Sequence, residues 1–502
     1  MTSIDNGELL KPAKRQRKVS FSADMALDPN SCIAIRLVSS VHEMQTGEAT
    51  IPEFFPDFAE RFFGEDGKIV GYKSVKIIFW LHSLSFHAHV EISHMELAQD
   101  RKGAGAQVTD LPKFFKEIFG AGLVDNRAEF LQLLASYNVF SDLLHQYGRR
   151  IASWNLSEEQ SWVKAENDTA DASKKILRLE DLTAKELNDW HTRLTPLALM
   201  FIEAATPIEL KDPRWEVYVC LEKASNDSNC LWTMVGFCRV YRFFKYPDTT
   251  RLRVSQILVL PPYRGKQNGF HLLETVYQTA IQRGSFEVTM EEPSSDLQVL
   301  RECMDTVQLL SLDPVRSELQ MALSKFKLDS ELKASTVNCQ AWMPSRSLVE
   351  NVRDTLKICK SQFHYCWQVL MYVHVMGEVE EKVLSSFQSL VAWSLKLEVF
   401  GNTKSADVGK NKMLLDVENE YDNSRTFVMF KIKPSPGCGS NGVVKVGEVE
   451  SEHLKEAVDM DPEANAENAF QELLKEREEE IHQVAEKVIQ YMKIAGTSLV
   501  QV

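Results

Sequence analysis

Between Arg264 and Gly269 the chain reads Arg-Gly-Lys-Gln-Asn-Gly, directly after an apolar run ending at Leu260. A helical stripe of Leu272, Leu273, Val276, Tyr277 and Ala280 follows. A strand, a glycine-containing loop and a helix in that order form a candidate phosphate cradle. Backbone N–H groups at a helix N-terminus point toward an anion, and the helix dipole favours negative charge there. Glycine lets the backbone approach such a ligand closely, and Arg264 and Lys266 bring positive charge beside it. The same residues also suit a purely structural turn.

Three carboxylates are candidates for proton transfer. Glu291 and Glu292 stand together where a strand-like run, 286–290, ends. Two adjacent carboxylates in a partly dry site push one pKa upward, and a base so tuned can take a proton from an amine. A simple acidic strand cap accounts for the pair equally well. Glu203 follows the run 197–202, which is apolar on every side of a helix. That places Glu203 at a helix end in dry surroundings, unusual for a carboxylate.

The elements that must position these groups are readable from periodicity. Thr183 and Glu186 suit a capping box, and Leu187, Trp190, Leu194, Leu197 and Phe201 then recur at steps of three and four. Pro196 should kink that helix. Trp215, Val217, Val219 and Leu221 alternate, 226–229 turns, and 235–244 returns, which reads as a hairpin. A third strand, 253–260, feeds the basic loop.

Upstream, 33–37, 74–81 and 87–92 read as strands and 111–119 and 127–147 as helices. Asp66-Gly67 marks a turn. These make an α/β domain ending near Trp154, with a polar linker through Lys175. Downstream, 297–310, 314–326, 348–373 and 378–399 read as helices, and 401–460 as a polar loop. A last acidic helix, 465–494, carries a stripe of Phe470, Leu474, Ile481, Val484, Val488 and Met492 that suits a core or a partner.

Bulk properties narrow the class. A 502-residue chain suggests about three folded units. The formal charge of −14 repels nucleic acid and favours basic partners such as Lys-rich peptides. Residues 1–30 read as a disordered tail, and their basic cluster at 11–18 suits a nuclear import signal as well as a solvated tail. The nine cysteines show no CxxC pair or zinc-like spacing, which points to reduced thiols and no metal. No secretory h-region or membrane-length apolar run is present, so the expectation is a soluble intracellular protein.

The order helix, hairpin, strand, basic glycine loop, helix, strand resembles the GNAT acetyltransferases, whose motif Q/R-x-x-G-x-G/A opens the central helix. Arg264 takes its first position and Gly269 its last, while Gln267 replaces the middle glycine. The likeness is to type B histone acetyltransferases, plant members above all. It rests on Val254-Ser-Gln-Ile-Leu-Val-Leu, Leu272-Leu-Glu-Thr-Val, Tyr246-Pro-Asp and Asp212-Pro-Arg-Trp. Phe201-Ile-Glu, Gly71-Tyr-Lys and Phe62-Phe-Gly-Glu-Asp extend it. The matches run in order over about 31–310.

The resemblance implies an α/β (α+β) fold. A GNAT core at 176–296 would follow an N-terminal α/β substrate-binding domain at 31–175. A helical domain at 297–400 and a linker with the acidic helix at 401–502 would complete the chain. It also implies acetyl-CoA as co-substrate. Ile257, Leu258 and Val259 would pair their backbone with the pantetheine arm. Arg264, Gly265, Lys266, Gln267, Asn268, Gly269 and Phe270 would wrap the pyrophosphate. If Gln267 must take a positive φ, a side chain there costs about 1–2 kcal/mol.

Glu291 is the implied general base, with Glu203 and Glu292 supporting. Glu65, Asp66 and Gly67 would bind a basic tail, and Trp215, Tyr241, Arg242 and Phe243 would pack against it. Aromatic residues on strands are equally often core, and acidic turns equally often just solvated. The implied reaction is direct attack of a lysine of a free histone, chiefly histone four, with a WD-repeat histone chaperone as partner and both nucleus and cytoplasm as locations. The competing reading is a catalytically weak histone-binding scaffold in which Gln267 impairs acetyl-CoA binding.

Overall fold

The structure, a computed structural model, describes residues 26–47, 50–64, 66–97, 108–157, 162–165, 172–180, 182–223, 231–331, 338–376, 381–400 and 462–494. The basic cluster at 11–18, Glu65, the turn at 226–229 and the segment 401–460 lie outside the described residues. Strands in chain order are β1 (Ala26–Leu27), β2 (Ile33–Val38), β3 (Ile69–Val70), β4 (Tyr72–Lys73), β5 (Lys76–His82), β6 (Ala88–Ser93) and β7 (Glu96–Leu97). They continue as β8 (Gly148–Leu156), β9 (Trp162–Lys164), β10 (Lys174–Leu179), β11 (Trp215–Lys223), β12 (Trp232–Lys245), β13 (Thr249–Val259) and β14 (Val288–Met290).

Helices are α1 (Pro29–Cys32), α2 (Val41–Thr46), α3 (Leu111–Phe119), α4 (Arg127–Ala135), α5 (Tyr137–Tyr147), α6 (Lys185–Thr192) and α7 (Thr195–Phe201). Then come α8 (Asn268–Gln282), α9 (Ser295–Leu309), α10 (Asp313–Glu331), α11 (Arg346–Leu356), α12 (Lys360–Val375), α13 (Glu381–Phe400) and α14 (Pro462–Ile494). The largest sheet runs β14-β13-β12-β11-β10-β8-β9, with β13 and β14 parallel. A three-stranded sheet runs β2-β5-β6. The chain divides into two compact units, Met1–Val240 with Gln256–Leu272, and Tyr241–Ser255 with Leu273–Val502.

In the first unit, β2 is apolar at every position but Arg36 and is buried nearly throughout. Phe115 and Phe119 of α3 set their ring edges against Phe79 of β5. Val38, Met44, Trp80, Phe130 and Leu134 close a core beside them. Residues 26–30, part of the stretch read as a disordered tail, already carry structure: β1 and α1 start at Ala26 and Pro29, and Asp28 caps α1.

Other departures have local causes. The helix expected at 127–147 breaks at Ser136, which ends α4 and whose hydroxyl donates back to the Gln132 carbonyl at 3.1 Å, a bond that bends helices. The segment read as a linker carries β9 and the first two residues of β10, and every residue of β10 is buried. Its lysines are housed by aromatic faces: Lys174 Nζ lies 3.5 Å from the Trp162 ring centroid and Lys175 Nζ 3.8 Å from that of Trp232. Composition alone disguised this strand.

The helix expected across 183–203 is two helices. Ala184, not Thr183, is the N-cap of α6. Pro196 sits in the first turn of α7, where a missing N–H costs nothing, so the kink becomes a break. The core face of α7 is buried as expected at Leu197, Ala198, Met200 and Phe201. It stops at Phe201, however, and Ile202 is extended.

In the second unit, α12 is buried on nearly all sides and forms the centre of a helical cluster. The stripe of α14 is core: Phe470, Ile481, Val484, Val488 and Met492 are buried, and the helix packs on α9, α12 and α13. The helix expected at 348–373 is interrupted at Lys357, which adopts a left-handed φ of 63°. Among the described residues no helix is long and apolar enough to cross a membrane.

Candidate active site

β13 pairs with β14 from Leu252 to Val254, and the N–H of Glu291 closes the ladder onto the Val254 carbonyl at 2.9 Å. Beyond Val254, among the described residues, no strand pairs with that edge of β13. Ile257, Leu258 and Val259 lie on this stretch, where backbone N–H and C=O groups suit an amide-bearing ligand. On its other side Gly236 of β12 is needed for close approach. A Cβ there would meet the Leu258 carbonyl oxygen at 2.7 Å and the Val259 Cα at 3.3 Å.

The strand ends with the Leu260 N–H on the Val235 carbonyl, and the chain turns through Pro261–Tyr263 into the basic loop. Gly265 has φ +75° and Gln267 φ +60°. The replaced motif position therefore does require the left-handed conformation, and glutamine adopts it against its preference. The Gln267 carbonyl accepts the first turn bond of α8, from the His271 N–H at 3.0 Å. The N–H groups of Asn268 and Gly269 lie ahead of that bond, where helix geometry supplies no intrahelical acceptor. Donors so placed suit an anion.

The charged groups of the loop are exposed. Arg264 bends back to donate to the Val259 carbonyl at 3.2 Å and lies 3.4 Å from the Asp57 carboxylate. Both members of that ion pair are half exposed, so it is worth little and the guanidinium is available to an anion. Lys266 stands beside the Tyr263 ring. Asn268 is buried, and its side chain donates to the Tyr263 carbonyl at 3.1 Å. Phe270 is half-buried on the first turn.

Behind the loop lies a buried polar floor. Lys174 Nζ donates to the Lys266 carbonyl at 3.4 Å and lies 4.0 Å from Glu222. Burial pushes the Lys174 ammonium down to about 8 and the Glu222 carboxyl up. His271 stacks on Trp154 with ring centroids 4.2 Å apart, and burial holds its imidazole neutral at about 3.

The carboxylates stand at the surface. Glu203 is exposed, two residues past the end of α7. This corrects the expectation of a dry helix end: α7 stops before reaching it. The next residue, Ala204, has φ 54°. Glu291 and Glu292 are exposed at the end of β14, and Glu292 has φ 38°. Ser255 Oγ donates to Glu291 Oε2 at 2.7 Å and fixes its direction. Non-glycine residues in the left-handed region carry strain of order 1–3 kcal/mol, and such residues gather at functional sites. Here one, Ala204, follows Glu203, and the other is Glu292 itself, next to Glu291.

The candidate tail-binding residues fall into three places. Asp66, exposed, and Gly67, half-buried, form a turn, and Trp215 opens β11, half-buried. Tyr241 and Phe243 share one face of β12 with ring centroids 4.6 Å apart, and the Arg253 guanidinium lies over Phe243. Arg242 is half-buried between them in sequence. Among the described residues no group of three or more His, Cys, Asp or Glu side chains is placed to hold a metal ion.

Ser255, Asp57 and Lys174 were not singled out by sequence reasoning. A polar residue interrupting the apolar strand 253–260 was the available signal for Ser255. The other two act across long sequence separations.

Comparison with known proteins places this architecture. Residues 25–203 match the family described as "Histone acetyl transferase HAT1 N-terminus", and residues 182–296 match "Acetyltransferase (GNAT) family". The chain is 32% identical over 479 residues to the histone acetyltransferase type B catalytic subunit of Arabidopsis thaliana, covering 95% of each chain. It is 31% identical to the same subunit of Zea mays, covering 97% of this chain and 96% of that one. With the subunit of Rattus norvegicus it shares 30% identity over 56% of this chain and 63% of that one. The chain is thus an acetyltransferase of GNAT fold and belongs to the family of type B histone acetyltransferase catalytic subunits.

Proposed function

We propose that the protein transfers the acetyl group of acetyl-CoA to a lysine in the N-terminal tail of a free histone, chiefly histone four, by direct attack in a ternary complex. Acetyl-CoA supplies the activated thioester. The unpaired edge at 257–259 binds its amide-bearing arm, and Arg264, Lys266 and the first N–H groups of α8 bind its pyrophosphate. Glu291 accepts the proton lost by the lysine amine as the new N–C bond forms and the C–S bond breaks. Glu203 and Glu292 support it electrostatically. Tyr241, Phe243 and Trp215 pack the substrate's aliphatic stem, while Glu65 and Asp66 attract its basic flanks.

The observation that carries this reading is the arrangement along β13. One strand holds Ser255, which grips Glu291, then an unpaired edge, then a loop whose backbone takes the glycine conformation even at Gln267. The family's histone substrate supplies the acceptor class, and the net charge of −14 suits a basic tail. A WD-repeat histone chaperone as partner and residence in nucleus and cytoplasm belong to the same proposal.

Radiolabelled acetyl transfer tests it. A histone four tail peptide should be acetylated and spermidine should not. Peptide binding without any transfer would instead favour a scaffold.

Gln267 makes a separate prediction. Holding it left-handed costs about 1 kcal/mol net of glycine's own entropy, so the loop spends part of its time outside the binding geometry and affinity falls by that fraction. Gln267→Gly should therefore lower the acetyl-CoA Kd about three- to fivefold by calorimetry. A wild-type protein that binds no acetyl-CoA, with binding created by Gln267→Gly, would overturn the catalytic reading.

A further inference from the structure

The turn at 202–206, which carries Glu203, is held by two polar grips. Arg61 Nη1 donates to the carbonyls of Ile202 and Ala205, each at 3.4 Å. From the other side Gln256 Nε2 donates to the Thr206 carbonyl at 2.8 Å. Gln256 is itself fixed, because its Oε1 accepts a hydrogen bond from Arg239 Nη1 at 2.5 Å.

Arg239 is an expensive residue in this position. It lies fully buried on β12 over the Phe237 ring, and its Nε and Nη2 have no hydrogen-bond partner among the described residues. A buried cation with unmade hydrogen bonds lowers stability, and well-packed apolar replacements of buried charges are often neutral or stabilising. Packing therefore gives no reason for an arginine here. Its hydrogen bond to Gln256 does, since a glutamine free to rotate would release the Thr206 carbonyl.

We propose that Arg239 is a positioning residue that acts through Gln256 to fix the turn presenting Glu203 for acetyl transfer. The catalytic half of this rests on the reading of Glu203 as a supporting carboxylate. The positioning half rests on geometry alone, so the two can fail separately.

The test compares wild type, Arg239→Met, Glu203→Gln and their double variant in steady-state kinetics, thermal melting and backbone hydrogen exchange. Arg239→Met should keep or raise Tm, lower kcat about tenfold and leave the acetyl-CoA KM within about twofold, since small misplacements near reacting groups cost tenfold or more. Exchange across 203–206 should quicken about tenfold. The double variant should be no slower than Glu203→Gln, because both changes disable the same carboxylate.

Unchanged exchange at 203–206, or a kcat loss that adds to that of Glu203→Gln, overturns the proposal. Faster exchange beside a silent Glu203→Gln upholds the clamp and discards the catalytic role of Glu203. Should Arg239→Met fail to fold, Gln256→Glu removes the donor to Thr206 while keeping the Arg239 contact, and the same outcomes decide.

Discussion

Glu291→Gln should lower kcat by about 10²–10³-fold near pH 7.5, the usual worth of a positioned general base, with the acetyl-CoA KM almost unchanged. Glutamine keeps an Oε1 that can accept the Ser255 Oγ–H bond seen at 2.7 Å, so the side chain stays in place and only its basicity is lost. The main-chain bond from the Glu291 N–H to Val254 is unaffected by the change. Free lysine has a pKa of about 10.4, so the fraction of neutral amine rises tenfold per pH unit below that value. A variant without the base should therefore recover as pH rises, and its deficit at pH 9.5 should be far smaller than at pH 7. Turnover and a pH–rate profile matching wild type would remove Glu291 from the mechanism. Ser255→Ala should show a weaker form of the same loss, because it frees the carboxylate to rotate without abolishing it.

The sequence disclosed the parts of this site that are local and concealed those that depend on distant contacts. Strand, loop and α8 were legible because their signals fall within about thirty residues: apolar run, Gly265 and Gly269, then a helical stripe. Whether Gln267 is strained turns on the sign of its φ, which the backbone alone reveals. Glu203 is exposed against expectation because hydrophobicity predicts that 197–202 is buried but not where the helix stops. β10 was missed for the opposite reason. Two lysines and an arginine in six residues look solvated, and only the fold brings Trp162 and Trp232 over the lysines. The Arg239–Gln256–Thr206 relay joins residues 17 and 50 apart in sequence. No periodicity could reveal it.

The strand that ends at Glu291 has its own anchor, and breaking it should cost the most stability of any change considered. Arg301 of α9 is buried and donates to the Val288 carbonyl of β14 and to the Tyr277 hydroxyl of α8, each at 3.2 Å. Its Nε lies 3.6 Å from the carboxylate of Asp305, which is fully buried and also receives the Tyr277 O–H at 3.3 Å. Arg301→Met strands that carboxylate, and removing one partner of a buried ion pair costs about 3–5 kcal/mol.

The loss should depend on pH in a defined direction. Burial pushes Asp305 up to about 6, against the pull of Arg301, whereas an unfolded aspartate titrates near 3.9. A folded pKa above the unfolded one means that stability is full below about 4 and declines as pH rises through about 6. Without Arg301 the folded pKa climbs further and the decline extends to higher pH. Urea unfolding should thus show Arg301→Met more destabilised at pH 8 than at pH 5, and Asp305→Asn in the same chain should recover much of the difference at pH 8. Equal destabilisation at both pH values, with no recovery in the double variant, would mean that Arg301 acts through its bonds to Val288 and Tyr277 alone and that Asp305 is a bystander.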